Sequence, residues 1–418
     1  MRHLCSTSPA EDVRLPHSRW GLADIFRMYG DAYAAAHPLP PSQLKVIQDI
    51  AICRTAALGG HLHQCDTCGY EHPVYNSCGN RHCPRCQSLA AHQWLQARMA
   101  ELLPVPYFHM VFTLPHLINP VARCNKTIIY NILFASVSKT LLQFGANPDN
   151  GMGGTLGFIA VLHTWDQKLL EHIHLHCVIP AGALSPDRSQ WIHPKHPDFL
   201  FPVQALSRVF RGKFIHELKK TFFTHTMVFH GQSKEYESES AFLSLINNMY
   251  KTNWVVYAKQ PFAGPQHVLA YLSRYTHKIA ISNNRIKQVV DDTITFSCRD
   301  RKQHDALKTM TLPVGQFISR FLLHVLPHSF TRIRHFGFLA NRRRKITLAH
   351  VRKLLGAPEP PAHKPQPTTE KLLRTLSGID ITHCPRCKSG SMVVVKKLPK
   401  CCLPAISASP FPLVFDSS

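Results

Sequence analysis

The chain has 418 residues, 44% of them hydrophobic, which suits a folded protein with a sizeable core and excludes a disordered polymer. A formal charge of +23 and a pI near 9.6 exceed what solubility needs and point to a polyanionic partner, nucleic acid above all. A membrane surface is the rival use of basic charge, but no long apolar span and no signal peptide are read from the sequence, and the 14 cysteines, largely in Cys-x-x-Cys pairs, suit metal sites in a reducing cytoplasm better than disulfides.

Residues 1 to about 18 carry no periodic pattern. Leu22, Ile25, Phe26, Tyr29 and Tyr33 then form a helical stripe that predicts a helix to about Ala36. His37-Pro-Leu-Pro-Pro41 stops it, and Ser42 is the expected cap of a second helix through Leu44, Ile47 and Ile50. From Cys53 to Cys86 ligand-type residues crowd together. Cys65-Asp-Thr-Cys68 and Cys83-Pro-Arg-Cys86 are two knuckles, and together they supply the four thiolates of a tetrahedral structural zinc. Cys53, Cys78 and His82, with His61 or His63, form a candidate second zinc set. Free thiols in a core are the alternative, and the paired spacing argues against them.

Helices are expected over Ser88–Leu103 and Pro120–Phe144, with a strand over Tyr107–Leu114 between them. The next stretch is the most informative. Phe158 to Leu162 and Ile173 to Ile179 read as neighbouring strands, the second closed by Pro180 and Gly182. Alternation puts His172, His174 and His176 on one face and Ile173, Leu175 and Cys177 on the other. A hairpin would bring His163 beside the pair. Three imidazoles on one face are costly to bury without partners, and a divalent cation would satisfy them. Hydrogen-bonded core histidines are the alternative. A helix through Leu206, Phe210, Phe214 and Leu218 follows, decorated by Arg208, Arg211 and Lys213, which are candidate phosphate contacts.

Beyond a short strand at Trp254–Lys259, Pro265 opens a helix that carries Tyr271 and Tyr275 four residues apart, both on one face. A core stripe explains that spacing equally well. Arg274 and Lys278 are further candidate DNA contacts, as are Arg342, Arg343 and Arg344 in the basic run after the expected strand Phe330–Leu339. A hairpin is expected over Ile286–Val290 and Thr293–Cys298, then a helix over Val314–Leu326 and another ending at Gly356. Residues 357–369 are rich in proline and read as a linker, and the tail over 370–418 holds Cys384-Pro-Arg-Cys387 with Cys401 and Cys402, a candidate small ribbon. A metal site beside two tyrosines, in a basic protein with zinc knuckles, suggests phosphodiester chemistry: a tyrosine oxygen attacks a DNA phosphorus while a cation offsets the developing charge.

Over about residues 40 to 355 the sequence resembles the rolling-circle, two-tyrosine HUH transposases of bacterial insertion sequences, the insertion-sequence ninety-one family. The likeness rests on Cys53-Arg-Thr-Ala-Ala-Leu-Gly-Gly-His61, Asn80-Arg-His-Cys-Pro-Arg-Cys-Gln87 and Val111-Phe-Thr-Leu-Pro-His116. It rests equally on His174-Leu-His-Cys-Val-Ile-Pro180, the run Tyr271 to Asn283, and Phe336-Gly-Phe-Leu-Ala-Asn-Arg342. The resemblance implies an α+β fold, with a zinc-ribbon-like module over 20–103 and an HUH endonuclease domain over 104–356 whose central antiparallel sheet carries the histidines between flanking helices. It implies metal ligation by His174 and His176, with His163 as third ligand by analogy with relaxase-type enzymes and His172 as competitor. It implies Tyr271 and Tyr275 as nucleophiles, Mg²⁺ or Mn²⁺ at the HUH site, Zn²⁺ in the N-terminal domain, and single-stranded element ends and target DNA as partners. A cytoplasmic, nucleoid-associated bacterial protein is expected. A replication initiator or relaxase of the same chemistry, and a non-enzymatic zinc-dependent DNA-binding protein, are the alternatives. Ile173 stands where the family commonly has proline, and Ala181-Gly-Ala183 replaces a glycine-rich run.

Overall fold

The computed structural model describes residues 20–99, 101–262, 279–300, 306–340, 342–358 and 382–401. The chain divides into two compact units, one drawn from Met1–Leu89, Ile281–Leu322 and Pro367–Ser418, the other from Ala90–Ala280 and Leu323–Gln366. Sequence order suggested consecutive domains; instead two later segments return to the N-terminal unit. Aromatic packing and strand pairing draw them there.

In the first unit the helix Leu22–Ala36 starts where the Asp24 carboxylate accepts the Gly21 N–H at 2.7 Å, and it buries Leu22, Ile25, Phe26 and Tyr33. Phe26 meets Phe321 of the helix Val314–Leu323 edge to face, with centroids 5.6 Å apart. The second helix, Pro41–Ala51, begins one residue before the expected cap Ser42, because proline's fixed φ suits the first helical position. A Cβ on Gly30 would lie 2.7 Å from Ile47, so only glycine permits the two helices to approach this closely. Two three-stranded sheets complete the unit. Met392–Leu398, Gly60–Cys65 and Glu71–Tyr75 form one in that order; Ala306–Pro313, Thr293–Asp300 and Ile286–Val290 form the other.

The second unit is built on a five-stranded antiparallel sheet, in the order Ile333–Gly337, Gly157–Trp165, Glu171–Pro180, Tyr107–Thr113 and Val256–Phe262. The histidine-rich strand Glu171–Pro180 is therefore central. Its pleat sends Ile173, Leu175, Cys177 and Ile179 into the main core, with Phe108, Met110 and Phe112 from one neighbour and Phe158, Ala160 and Leu162 from the other. The helices Lys126–Ala146, Val203–Phe223 and Glu239–Lys251 cover this face through Leu133, Val137, Phe210, Phe214 and Phe242. Each fully buried phenylalanine contributes roughly 2–3 kcal/mol of transfer free energy. The opposite face carries a smaller apolar cluster at one end only, where Tyr107 and Val178 meet Phe338, Leu348 and Val351. The histidines lie further along that face.

Several local features depart from expectation. The long helix expected over Pro120–Phe144 is broken into Asn119–Cys124 and Lys126–Ala146 at Asn125, whose amide donates to the Val121 and Val228 carbonyls and accepts the Val228 N–H. Lys126–Ala146 is also, among the described residues, the one helix long and apolar enough to cross a membrane, which corrects the expectation that no such span exists. Its apolar side chains lie in the core. The helix expected over Ser88–Leu103 runs instead over Pro84–Met99, starting inside the Cys83–Cys86 knuckle. Gly337 ends the edge strand with φ of 61°, where a Cβ would lie 1.6 Å from the Leu156 carbonyl oxygen. No other residue fits the Phe336-Gly-Phe338 turn.

Candidate active site and metal centres

On the strand pair Gly157–Trp165 and Glu171–Pro180, His163 stands directly opposite His174 and Val161 opposite His176. All three imidazoles project from the face away from the main core, and each offers a nitrogen within 4.8 Å of the others. They are 3%, 6% and 7% exposed, so their polar edges are largely withdrawn from water. The Nε2 atoms of His174 and His176 are 3.1 Å apart, and the His163 ring lies 4.5 Å from that of His176. Ring nitrogens converging in this way match a cation bound at about 2.0–2.1 Å from each imidazole. His172 is outside the trio; its ring tilts against His116 at 5.5 Å.

His174 and His176 are also contacted from behind. The His174 Nδ1 lies 2.6 Å from the His172 carbonyl oxygen, an acceptor that places the proton on Nδ1 and frees Nε2. The His176 Nδ1 lies 2.9 Å from Nε2 of His109, a residue on the adjacent strand Tyr107–Thr113. Burial, helped by the positive charge of Lys259, pushes His109 down to about 3, which favours its neutral form; the proton in the contact lies on one of the two facing nitrogens, according to tautomer. The rings stack at 5.1 Å with an interplanar angle of 14°. Sequence reasoning missed His109. Its only signal was even spacing from Tyr107 within an apolar strand, informative once that strand is known to flank the histidines. The Arg123 guanidinium pairs with Glu171 at 2.6 Å and pins the start of the strand Glu171–Pro180.

Among the described residues eight cysteines form two sets, neither of them the expected one. Cys65–Cys68 and Cys83–Cys86 do not share a site. Cys83 and Cys86 join Cys53 and Cys78, while Cys65 and Cys68 join Cys384 and Cys387. His82 belongs to neither set, although it adjoins Cys83. In the first set the sulfurs of Cys53–Cys86, Cys78–Cys86 and Cys53–Cys83 are 3.7, 3.6 and 3.6 Å apart. A tetrahedron with Zn–S bonds of about 2.3 Å has edges of about 3.8 Å, so the residues present fit zinc. The correction has a simple cause: the strand Gly60–Cys65 carries the first knuckle to the far end of its sheet, where Met392–Leu398 pairs with it.

The family model for the transposase zinc-binding domain matches residues 25–114, and that described as "Putative transposase" matches residues 157–346. The chain is 47% identical over 378 residues to the "Putative transposase y4qJ" of Sinorhizobium fredii, covering 90% of this chain and 94% of that protein. The chain belongs to the insertion-sequence ninety-one family of transposases. A second member, the transposase for insertion sequence element IS801 of Pseudomonas savastanoi pv. phaseolicola, is 26% identical over 307 residues, 72% of this chain and 71% of the relative. Among solved structures the chain is similar to the metal-bound conjugative relaxase TrwC in complex with oriT DNA, at 15% identity and a TM-score of 0.23, covering 40% of this chain and 70% of that one.

In this transposase Tyr271, Tyr275, Arg274 and Lys278 lie outside the described residues. Arg208, Arg211 and Lys213 ride on the helix Val203–Phe223, which packs Phe210 against Phe112 on the core face. They are therefore on the side of the sheet away from the histidines, and Arg211 is engaged with the Tyr250 carbonyl at 2.9 Å. Arg342 and Arg343 are exposed, whereas Arg344 is committed to Glu101 at 3.1 Å, which Arg98 also contacts at 3.2 Å. That trio lines a cavity of about 20 Å³ with Tyr107, Val178 and His335, on the same sheet face as the three clustered histidines. Burial, then the Arg344 and Arg98 charges, push His335 down to about 4.

Proposed function

We propose that this transposase nicks single-stranded DNA at the ends of its element through Tyr271 or Tyr275, forming a 5′-phosphotyrosine, and then transfers the strand in rolling-circle transposition. The observation that carries the reading is the convergence of His163, His174 and His176 on one sheet face, with two of them hydrogen-bonded from behind. A divalent cation held by these three nitrogens, Mg²⁺ or Mn²⁺, would polarise the phosphate and offset its developing charge. Imidazole ligands tolerate manganese well, whereas magnesium prefers oxygen.

The chain's own residues do the rest. A tyrosine oxygen attacks the phosphorus and gives up its phenolic proton; the P–O3′ bond breaks, and the departing 3′ oxygen takes up a proton as a free hydroxyl. The phosphotyrosine keeps the bond energy, so attack by a 3′-hydroxyl reverses the step and joins strands. The second tyrosine, four residues away in the sequence, provides a second nucleophile for a second nick. The basic surface, including the exposed Arg342 and Arg343, holds the phosphate backbone without reading bases.

The test is incubation of the purified chain with single-stranded element ends and Mn²⁺ or Mg²⁺, followed by denaturing electrophoresis. A covalent DNA–protein band is expected, dependent on metal and lost in His174→Ala/His176→Ala. Cleavage that persists in that variant would remove the histidines from the chemistry.

A further inference from the structure

The second cysteine set is assembled from parts of the chain 316 residues apart, and half of it lies outside the segment matched by the zinc-binding domain model. Cys65 ends the strand Gly60–Cys65 and Cys68 sits in the turn after it; Cys384 and Cys387 occupy the turn that leads to the strand Met392–Leu398. Cys65 and Cys387 have their sulfurs 3.6 Å apart, as do Cys68 and Cys384. Disulfides would need about 2.05 Å; a tetrahedral zinc edge needs about 3.8 Å.

The two turns are built alike. In each, the residue after the second cysteine adopts the left-handed region, Gly69 at φ 69° and Lys388 at φ 61°. In each, that residue's N–H returns to the first cysteine's carbonyl, at 3.1 Å for Gly69 and 2.9 Å for Lys388. Backbone N–H groups also aim at sulfur: Cys68 at Cys65 Sγ, 3.4 Å, and Gly390 at Cys387 Sγ, 3.3 Å. The turns are fastened together by Asp66, whose N–H donates to the Ser391 carbonyl and whose carboxylate accepts the Ser391 N–H at 2.9 Å. A Cβ at Gly390 would lie 2.4 Å from Cys65 Sγ, so the approach of one knuckle to the other requires glycine there.

We propose that Cys65, Cys68, Cys384 and Cys387 form a second zinc site that clasps the C-terminal segment onto the N-terminal ribbon. The metal closes the chain between its two ends, and the last strand supplies the third member of the ribbon's sheet, covering an edge of Gly60–Cys65. The clasp is independent of the nicking chemistry and stands or falls without it.

Two measurements on the full chain test it. Zinc content should be two ions per chain, falling to one in Cys384→Ser/Cys387→Ser and to one in Cys83→Ser/Cys86→Ser; an unchanged count in the first variant would overturn the proposal. The second needs no cysteine change. A protease recognition sequence placed within residues 361–371 is cut under reducing conditions. The C-terminal piece should stay with the remainder during size exclusion while zinc is bound and separate on adding 1,10-phenanthroline. Separation with zinc present, or retention after chelation, would each show that zinc does not make the clasp.

Discussion

The histidine centre and the cysteine centres solve the same problem from opposite ends of the chain's topology. His163, His174 and His176 come from two adjacent antiparallel strands, so strand alternation and one register fix their convergence. Each cysteine set instead joins a knuckle to cysteines outside it: Cys83 and Cys86 to Cys53 and Cys78, Cys65 and Cys68 to a knuckle near the other end of the sequence. The first kind of site is held by a sheet that exists without metal. The second is gathered from turns and strand ends distant in sequence, which a shared ion would tie together. A centre made by the fold is suited to chemistry; a centre that makes the fold is suited to support.

The sharpest way to break this contrast is to remove ligands from each. Cys53→Ser/Cys83→Ser should lose one zinc and unfold residues 53–86, read by circular dichroism and thermal melts, because structural zinc supplies about 10–16 kcal/mol to small domains. His174→Ala/His176→Ala should melt far closer to the unsubstituted chain. Equal destabilisation of the two variants would erase the distinction.

Within the histidine centre, His109 should act as a positioning residue through His176. His109→Leu is expected to weaken Mn²⁺ binding, read by calorimetry, by about 10–100-fold, the usual cost of losing an orienting partner. His109→Gln, which can still accept from Nδ1, should recover much of it. If both variants bind like the unsubstituted chain, the His109–His176 contact is packing alone.

A smaller effect concerns pH. His324 is buried between Thr164 and the Leu169 carbonyl, and desolvation pushes it down to about 4. Its depressed value means that the folded chain resists protonation that the unfolded chain accepts. Stability is therefore fully present above about pH 6.5 and is lost as pH falls toward 4, by up to about 3 kcal/mol from this group. His324→Gln should flatten the acid limb of a stability–pH curve measured with urea; an unchanged limb would assign the loss elsewhere.

The smallest effect is electrostatic. Neutralising Arg342 and Arg343 should make the salt dependence of single-stranded DNA binding shallower by about 0.7 in log–log slope for each phosphate that is no longer neutralised. Arg344→Gln should change it less, since Glu101 already holds that guanidinium. Identical slopes for all three would mean that exposure does not select which arginines meet the phosphates.

These differences follow what the sequence could and could not carry. The convergence of the three histidines was legible, because a period of two over His172–His176 and a short connection to His163 leave few arrangements. The α+β character and most strands of the main sheet were legible for the same reason. Knuckle pairing was not, since every Cys-x-x-Cys looks alike and only sheet order decides which two meet. Nor was the return of Ile281–Leu322 to the N-terminal unit, which rests on contacts such as Phe26 with Phe321. The strand Ala306–Pro313 escaped notice because most of its side chains are exposed and show no alternation. The basic helix was recognised, but nothing in its charge pattern said that its apolar stripe would turn Arg208 and Lys213 away from the histidine face.

The central claim is that a tyrosine oxygen becomes joined to DNA under the influence of the histidine centre. The most direct measurement is to trap the covalent species formed with a 5′-labelled and a 3′-labelled single-stranded element end, digest it, and map the modified peptide by mass spectrometry. The account predicts that the label 3′ of the nick is retained on a peptide bearing a phosphodiester at Tyr271 or Tyr275, and that Tyr271→Phe/Tyr275→Phe yields no adduct although it binds DNA normally. An adduct on any other residue, or one that survives in the double variant, would contradict it.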